Sequence, residues 1–337
     1  MKRSSLIQYF IWLTLALLLL WFSLEALAPA DGQNRWNYLL SSWERSDKGW
    51  LWLMALLAMA SHLIRAERWR MLLHASGQRV SFYHTFLSLM VGYLVNLVIP
   101  RGGEVSRCLN LYKLNDYPAD KSFGTVVAER AIDLVCFLAV LFLAFLVEFD
   151  KLMSFLKTLP VQMPETWFVL AGLVLFFVAA VVIWFWIRSV PFLQSKVKQL
   201  WAGFMSGLRS AWSVKQPGVF ILYTILIWLL YFLMTFTVLM AFDETQSLGW
   251  QAILNLFAIG SLAMVLPMPG GTGSYHTLVP AGLAFLYKIP LPDAVAFTFV
   301  FHAWQTLIMI AGGVPALLST AWLGMRKKIQ NPLPLEP

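Results

Sequence analysis

Pro100-Arg101-Gly102-Gly103-Glu104 and Pro267-Met268-Pro269-Gly270-Gly271-Thr272-Gly273 end two apolar segments at places where an ordinary membrane helix would continue. Gly103 and Gly271 stand 168 residues apart in a chain of 337, and the same offset aligns Gly92 with Gly260 and Ser106 with Ser274. This register predicts a duplicated membrane unit. Hydrocarbon offers no partner to a free N–H or C=O, so irregular backbone at membrane depth persists only where it is buried in protein or lines a wet cavity. Each loop is therefore read as half of a binding site.

Composition agrees with a membrane setting. Hydrophobic residues make up 59% of the chain and charged residues 12%, whereas a soluble domain carries about 25% charge. The mean hydropathy is +0.70. Cys108 and Cys136 lie in different segments without CxxC or metal-ligand spacing, so neither a disulfide framework nor a metal site is expected. The net charge of +8 is ordinary for basic cytoplasmic loops, and no nucleic-acid-binding module accompanies it. The opening apolar stretch, Leu6 to Leu24, exceeds a signal-peptide core, and Pro29 follows Ala26-Leu27-Ala28, so it is read as an uncleaved first span.

Apolar runs of spanning length, about 20 residues, fall near 6–27, 50–66, 124–148, 167–188, 217–241 and 294–323, with shorter runs at 82–99 and 250–266. With the N-terminus inside and both short runs re-entrant, 18 Lys and Arg fall in the cytoplasm and six outside, in line with the positive-inside bias. Full crossings would move the basic loops at 100–121 and 188–216 outside. The re-entrant arrangement makes the halves inverted, the recurring plan of secondary transporters. The expected fold is an all-α polytopic membrane protein of two inverted-topology repeats, six full spans plus two re-entrant segments. Residues 1–150 form the first repeat, with re-entrant segment 82–104. Residues 151–325 form the second, with a cytoplasmic interfacial helix at 192–212 and re-entrant segment 250–276. Residues 326–337 form a cytoplasmic tail.

Val197, Leu200, Trp201, Phe204, Met205, Leu208 and Trp212 follow a helical stripe, and Trp36, Leu39, Leu40 and Trp43 repeat it near Asn34–Arg45. Both stretches are expected along membrane surfaces. The last segment is about 30 residues long, more than a 30 Å core requires, and Gly312-Gly313-Val314-Pro315 is expected to break it.

The first loop offers Arg101 and Arg107 as planar donor forks and Gly102 and Gly103 as unobstructed amides, a set suited to a phosphate approached from the cytoplasm. Glu104 is the internal counter-charge. The second loop carries no arginine and supplies Gly270, Gly271, Gly273, Tyr275 and His276 instead. Glu129, Arg130 and Asp133 lie two turns into an apolar run and must face the interior, either as a structural ion network or as a headgroup or proton site. His302 and Gln305 read as polar contacts between helices. Arg65-Ala66-Glu67-Arg68-Trp69-Arg70 reads as an interfacial anchor at the cytoplasmic end of the second span.

Arg-x-x-Arg-Trp from Arg65, Pro-x-Gly-Gly-Glu-x-x-Arg from Pro100, Val-x-x-Glu-Arg-x-x-Asp from Val126 and Pro-x-Pro-Gly-Gly-x-Gly from Pro267 together resemble the lysylphosphatidylglycerol synthase transmembrane region, or flippase-like, family. The resemblance runs from Arg65 to Ala321. It implies a bacterial or archaeal cytoplasmic-membrane protein similar to the lipid-flipping half of the multiple peptide resistance factor, with Arg101, Glu104, Arg107, Glu129, Arg130 and Asp133 matching the family's polar set. The aminoacyl-transferase domain of that protein has no counterpart in these residues.

The sequence reading is a lipid flippase or translocase with cytoplasmic termini, moving an anionic or aminoacylated phospholipid or a lipid-linked phosphate between leaflets. No Walker A motif is present, so an ion gradient or simple equilibration is the expected drive. The rivals are a membrane enzyme acting on lipid-linked phosphates or sugars, and a scaffold for a separate lipid-modifying enzyme. A phospholipid or lipid-phosphate headgroup is the expected partner, with a separate lipid-modifying enzyme and a second copy of the chain as further candidates. No nucleic acid, cofactor, metal or catalytic residue is expected.

Overall fold

The computed structural model describes residues 14, 17–25, 27, 34–158, 191–266 and 268–330. Its elements in chain order are α1 (Arg35–Arg45), α2 (Lys48–Ala75), α3 (Phe82–Asn96), α4 (Gly102–Asn115), α5 (Ala119–Thr158), α6 (Pro191–Arg209), α7 (Pro217–Met240), α8 (Trp250–Val265), α9 (Ser274–Tyr287) and α10 (Leu291–Gln330). Residues 17–25 are also helical, and no strand occurs among the described residues. Helices α2, α5, α7 and α10 are long and apolar enough to cross a membrane. The span expected at 167–188 lies outside the described residues, as does much of that at 6–27.

Local chemistry sets the helix ends. Asp47 caps α2 by accepting from the Gly49 amide at 2.7 Å, and Ser81 caps α3 by accepting from His84 at 3.2 Å. Pro217 opens α7, where its missing N–H costs nothing.

The two glycine loops each join a pair of short antiparallel helices. In the first pair His84 bonds Asn115, Asn110 bonds Ser88, and Gly103 sits on Asn96, so α3 and α4 run against each other along their whole length. In the second, α8 and α9 are matched likewise through Asn255–Tyr287 and Ser274–Ala263. The 168-residue register recurs in these contacts. A Cβ on Gly92 would lie 3.3 Å from the Cβ of Arg107, and one on Gly260 would lie 3.1 Å from Tyr275. Gly103 packs on Asn96 as Gly271 packs on Met264, and Ser106 and Ser274 bond the carbonyls of Gly103 and Gly271. Both second helices end on a left-handed residue, Asp116 and Lys288. With arms of 14 to 16 residues, each hairpin is about 21–24 Å long, short of a 30 Å hydrocarbon core.

The main core lies among α2, α5, α7, α8, α9 and α10, around Met54, Val238, Leu256, Leu283 and Phe297. A second cluster, with Trp69, Leu111, Tyr117 and Val126, anchors the first hairpin to α2 and α5. Helix α1 is tied to α10, where the Tyr38 hydroxyl donates to Asp293 and the rings of Trp43 and Trp304 meet at 5.7 Å. Burial, then the bond to Asp293, pushes the Tyr38 hydroxyl up to about 12.

One expectation is corrected here. The Gly312-Gly313-Val314-Pro315 stretch does not interrupt the last helix: α10 runs through it. Its glycines instead admit α3, because a Cβ on Gly313 would meet Leu94 at 2.7 Å and one on Gly312 would overlap Met90. The break in a long helix falls in α5 at Glu148 (φ −140°, ψ 53°), whose carboxylate accepts from Asn255, Tyr287 and Lys151. The stretch expected along a membrane surface, α6, packs backbone to backbone against the start of α5 through Gly207 and Gly124, and its Gly203 lies against the Asp120 side chain. Its Leu200 and Trp201, with Trp212 beyond it, remain outward and exposed.

Candidate functional site: a buried cluster of arginines

Helix α2 continues three turns past the point where an interfacial anchor would end it, and its buried stripe includes Ser61, His62, Arg65, Arg68, Trp69 and Leu72. Spacings of three and four put these on one face. Arg65 and Arg68 therefore point into the protein, which overturns the anchor reading; only Arg70, paired with Glu67 at 2.6 Å, stands apart.

Arg65 donates to Glu129 at 2.9 Å, to Asp133 at 2.7 Å and to the Tyr231 hydroxyl at 2.7 Å. Arg68 donates to Asp133 at 2.7 Å and to Thr224 at 3.3 Å. From α4, Arg107 lies 3.1 Å from Glu129 and stacks on Trp69 with its guanidinium carbon 4.6 Å from the ring centroid. The Trp69 indole is fixed by donating to Thr125 at 2.9 Å. Arg130 reaches Glu129 at 2.7 Å and Asp133 at 3.0 Å. Four guanidiniums thus face two carboxylates, an excess of two positive charges. Glu104, one turn before Arg107, makes no ion pair with them, and one of its oxygens is sealed without a partner among the described residues.

Taking ions out of water costs several kcal/mol each unless counter-charges and hydrogen bonds compensate. Here compensation is incomplete. The Nε–H groups of Arg68, Arg107 and Arg130 are buried without an acceptor among the described residues. Arg68 and Glu129 have fully buried side chains, while that of Arg130 is 38% exposed. The open edge at Arg130 adjoins Leu134, Val135 and Leu138, all more than half exposed on α5 and apolar. The cluster is thus rich in positive charge, and its one open edge lies beside an exposed apolar stretch of α5.

The loops meet. Arg101, in a left-handed conformation (φ 59°), donates at 2.7 Å to the carbonyl of Val265, the last residue of α8. A Cβ on Gly270 would lie 3.2 Å from Leu97 of the first loop. His302 contacts the Gly270 carbonyl at 3.0 Å, and its ring stands 4.6 Å from that of His276. Tyr275 is packed between Gly260, Phe301 and His302. Of the loop glycine amides expected to bind an anion, four are already spent inside the protein. Gly103 N–H is given to Asn96 at 2.7 Å, Gly102 N–H to Ile99 at 2.9 Å, Gly271 N–H to Met268 at 3.1 Å and Gly273 N–H to His276 at 3.4 Å. Arg101 and Arg107 do not bracket one point either: the first ties the loops together and the second belongs to the buried cluster. Arg107, Glu129, Arg130 and Asp133 do converge. Arg65, Arg68, Thr224 and Tyr231 complete them; the sequence reading takes Arg65-Arg70 first as an anchor, with a headgroup contact by Arg68 as its alternative, although the stripe Arg65-Arg68-Trp69-Leu72-Leu73 signals a buried face.

Fold and site together define a polytopic helical membrane protein with a cation-rich interior. The chain belongs to the lysylphosphatidylglycerol synthase TM region family, matched over residues 6–313. It is 33% identical over 89 residues to a UPF0104 membrane protein of Methanocaldococcus jannaschii, covering 26% of each chain. It is 31% identical over 150 residues to one of Pyrococcus horikoshii, covering 43% of this chain and 41% of that one. A third, from Methanothermobacter thermautotrophicus, is 26% identical over 270 residues, 74% of this chain and 79% of its own. The first two matches thus span less than half of those relatives' lengths. No solved structure matches. Family and helices make this a membrane protein, and the family is consistent with a lipid-related membrane function.

Proposed function

We propose that the protein is a lipid flippase that carries an anionic phospholipid or lipid-linked phosphate between leaflets of a bacterial or archaeal cytoplasmic membrane. The observation that carries this is the excess of two buried positive charges, with unfilled N–H groups and one edge open toward lipid. Intramembrane charge is expensive and is usually functional, and a phosphate is the planar-fork partner that Arg accepts best. The headgroup enters beside Arg130, takes up the free donors of Arg68 and Arg107, and displaces part of the Asp133 contacts while its acyl chains stay in lipid. Arg101 lies six residues beyond Arg107, about 9 Å of helix, so the joined loops are the next station. On this reading the hairpins re-enter from opposite sides and the repeats are inverted, with the termini cytoplasmic as the charge bias favours. Transfer follows as the halves rock. Glu129 and Asp133 are both committed to guanidiniums, which suits charge storage better than acid–base catalysis, so the reading is a transporter and not an enzyme. A separate enzyme that makes the lipid, and a second copy of the chain, remain its proposed protein partners.

Proteoliposomes with fluorescent phosphatidylglycerol and phosphatidylcholine, quenched from outside, test this. Phosphatidylglycerol is expected to cross faster with protein than without, phosphatidylcholine is not, and Arg130→Gln lowers the rate about tenfold or more, the worth of a charge-assisted hydrogen bond. Equal rates in empty and protein-containing vesicles would sink the reading.

A further inference from the structure

His62 is 4% exposed, and neither ring nitrogen has a hydrogen-bond partner among the described residues. It precedes Arg65 by three residues on α2, so the two share a face. Its ring stands 4.7 Å from that of Tyr93 on α3, whose hydroxyl is also sealed and unpartnered. A buried polar group in a native protein normally has a partner, and one without it calls for a reason. We infer that His62 is a proton-binding site coupled to occupation of the arginine cluster, so that an anionic headgroup and a proton move together. This rests on the cluster being the headgroup site proposed above.

The charges around His62 give the coupling its sign. Its own helix presents Arg65; α3 presents Tyr93, α4 Arg107, α5 Glu129 and Asp133, and α7 Tyr231, whose hydroxyl is held by Arg65. One turn before His62 on the same helix, Met59 lies beside Gly312 of α10. Both carboxylates are already engaged by guanidiniums, so an imidazolium here would join an uncompensated excess of two positive charges and stays unfavourable while the site is empty. A phosphate diester removes one of those charges and a monoester two, and its oxygens supply acceptors. An imidazole nitrogen then takes a proton from the aqueous phase and returns it when the headgroup leaves. Linkage makes the effect reciprocal: acid favours headgroup binding as the headgroup favours protonation.

Calorimetric titration of the purified protein with dihexanoylphosphatidylglycerol, in two buffers of different ionisation enthalpy, counts the protons taken up. The wild type is expected to take up roughly one per lipid near neutral pH, His62→Gln to bind the lipid without uptake, and Tyr93→Phe to keep the uptake. Uptake with the lipid but not with glycerol 3-phosphate supports a proton that travels with the lipid, and uptake with both supports coupling to any phosphate. Lipid binding by the wild type without uptake, or equal uptake by His62→Gln, overturns the coupling and leaves the headgroup site standing. Absence of binding by the wild type removes the headgroup reading instead. Nitrogen-15 spectra of the five histidines check the wild type without any variant. One imidazole must move to its imidazolium position when lipid is added, and five unchanged signals overturn the proposal.

Discussion

Glu129 shows how much depends on a single carboxylate. It meets Arg65, Arg68, Arg107 and Arg130 from a side chain with no exposure. Glu129→Gln removes one of the two counter-charges and is expected to destabilise the protein by about 3–5 kcal/mol, the cost of leaving a buried charge unpaired. Combining it with Arg107→Gln should recover about 1–3 kcal/mol of that. Thermal unfolding of the four proteins of this cycle measures both, and additive losses would mean that the two residues do not share one network. Arg101 is the opposite case, an exposed residue whose backbone is strained. Arg101→Gly relieves a left-handed conformation worth about 1–2 kcal/mol while cutting the tie to Val265, so stability should hold or rise as the loops part. Spin labels at the exposed positions Ile99 and Leu266 should show a longer, broader distance distribution, and an unchanged one would show that Arg101 is not the tie. The sequence made Arg101, Arg107 and the Glu129–Asp133 turn visible because charge inside an apolar run stands out. It did not separate the roles of the two arginines, because two residues six apart in a bent segment diverge by an angle that only the loop geometry sets.

At the scale of elements, glycine decides where helices touch. A Cβ on Gly103 would fall inside the Gly92 carbonyl oxygen, whereas one on Gly218 meets nothing within 4 Å. Gly103→Ala should cost about 1–3 kcal/mol by overpacking, and Gly218→Ala should be neutral or stabilise by up to about 1 kcal/mol. Chemical unfolding of the pair tests this, and equal effects would show that the hairpin is not closed on Gly103. The same contrast explains which elements the sequence revealed. Apolar runs announced α5, α7 and α10 because hydropathy is a sum over neighbours. The end of α2 was misplaced since Arg65 and Arg68 lower that sum although their partners, Glu129 and Asp133, lie 64 to 68 residues away. Gly312-Gly313 was read as a break because Gly and Pro weaken an isolated helix, and only the arrival of Met90 and Leu94 turns the pair into a seat for α3.

For the whole molecule, the proposed inversion of the two hairpins has a direct consequence. The turn after α4, at Asp116, and the turn after α9, at Lys288, should open on opposite faces of the membrane. Single cysteines at these two positions, with Cys108 and Cys136 replaced, should react with an impermeant maleimide from opposite sides of sealed vesicles. Labelling of both from one side would end the inverted arrangement. The chain alone determined that this is a helical membrane protein, and it set out the fixed offset of 168 residues between the two glycine loops, because composition, hydropathy and spacing are properties of residues in order. Tertiary structure decided that the loops bond to each other, that four of their glycine amides are spent internally, and that four arginines from α2, α4 and α5 crowd around two carboxylates. Those facts depend on which faces of distant helices turn toward one another, and helix rotation and close approach at glycine are fixed by packing across the bundle, not by any neighbouring stretch of chain.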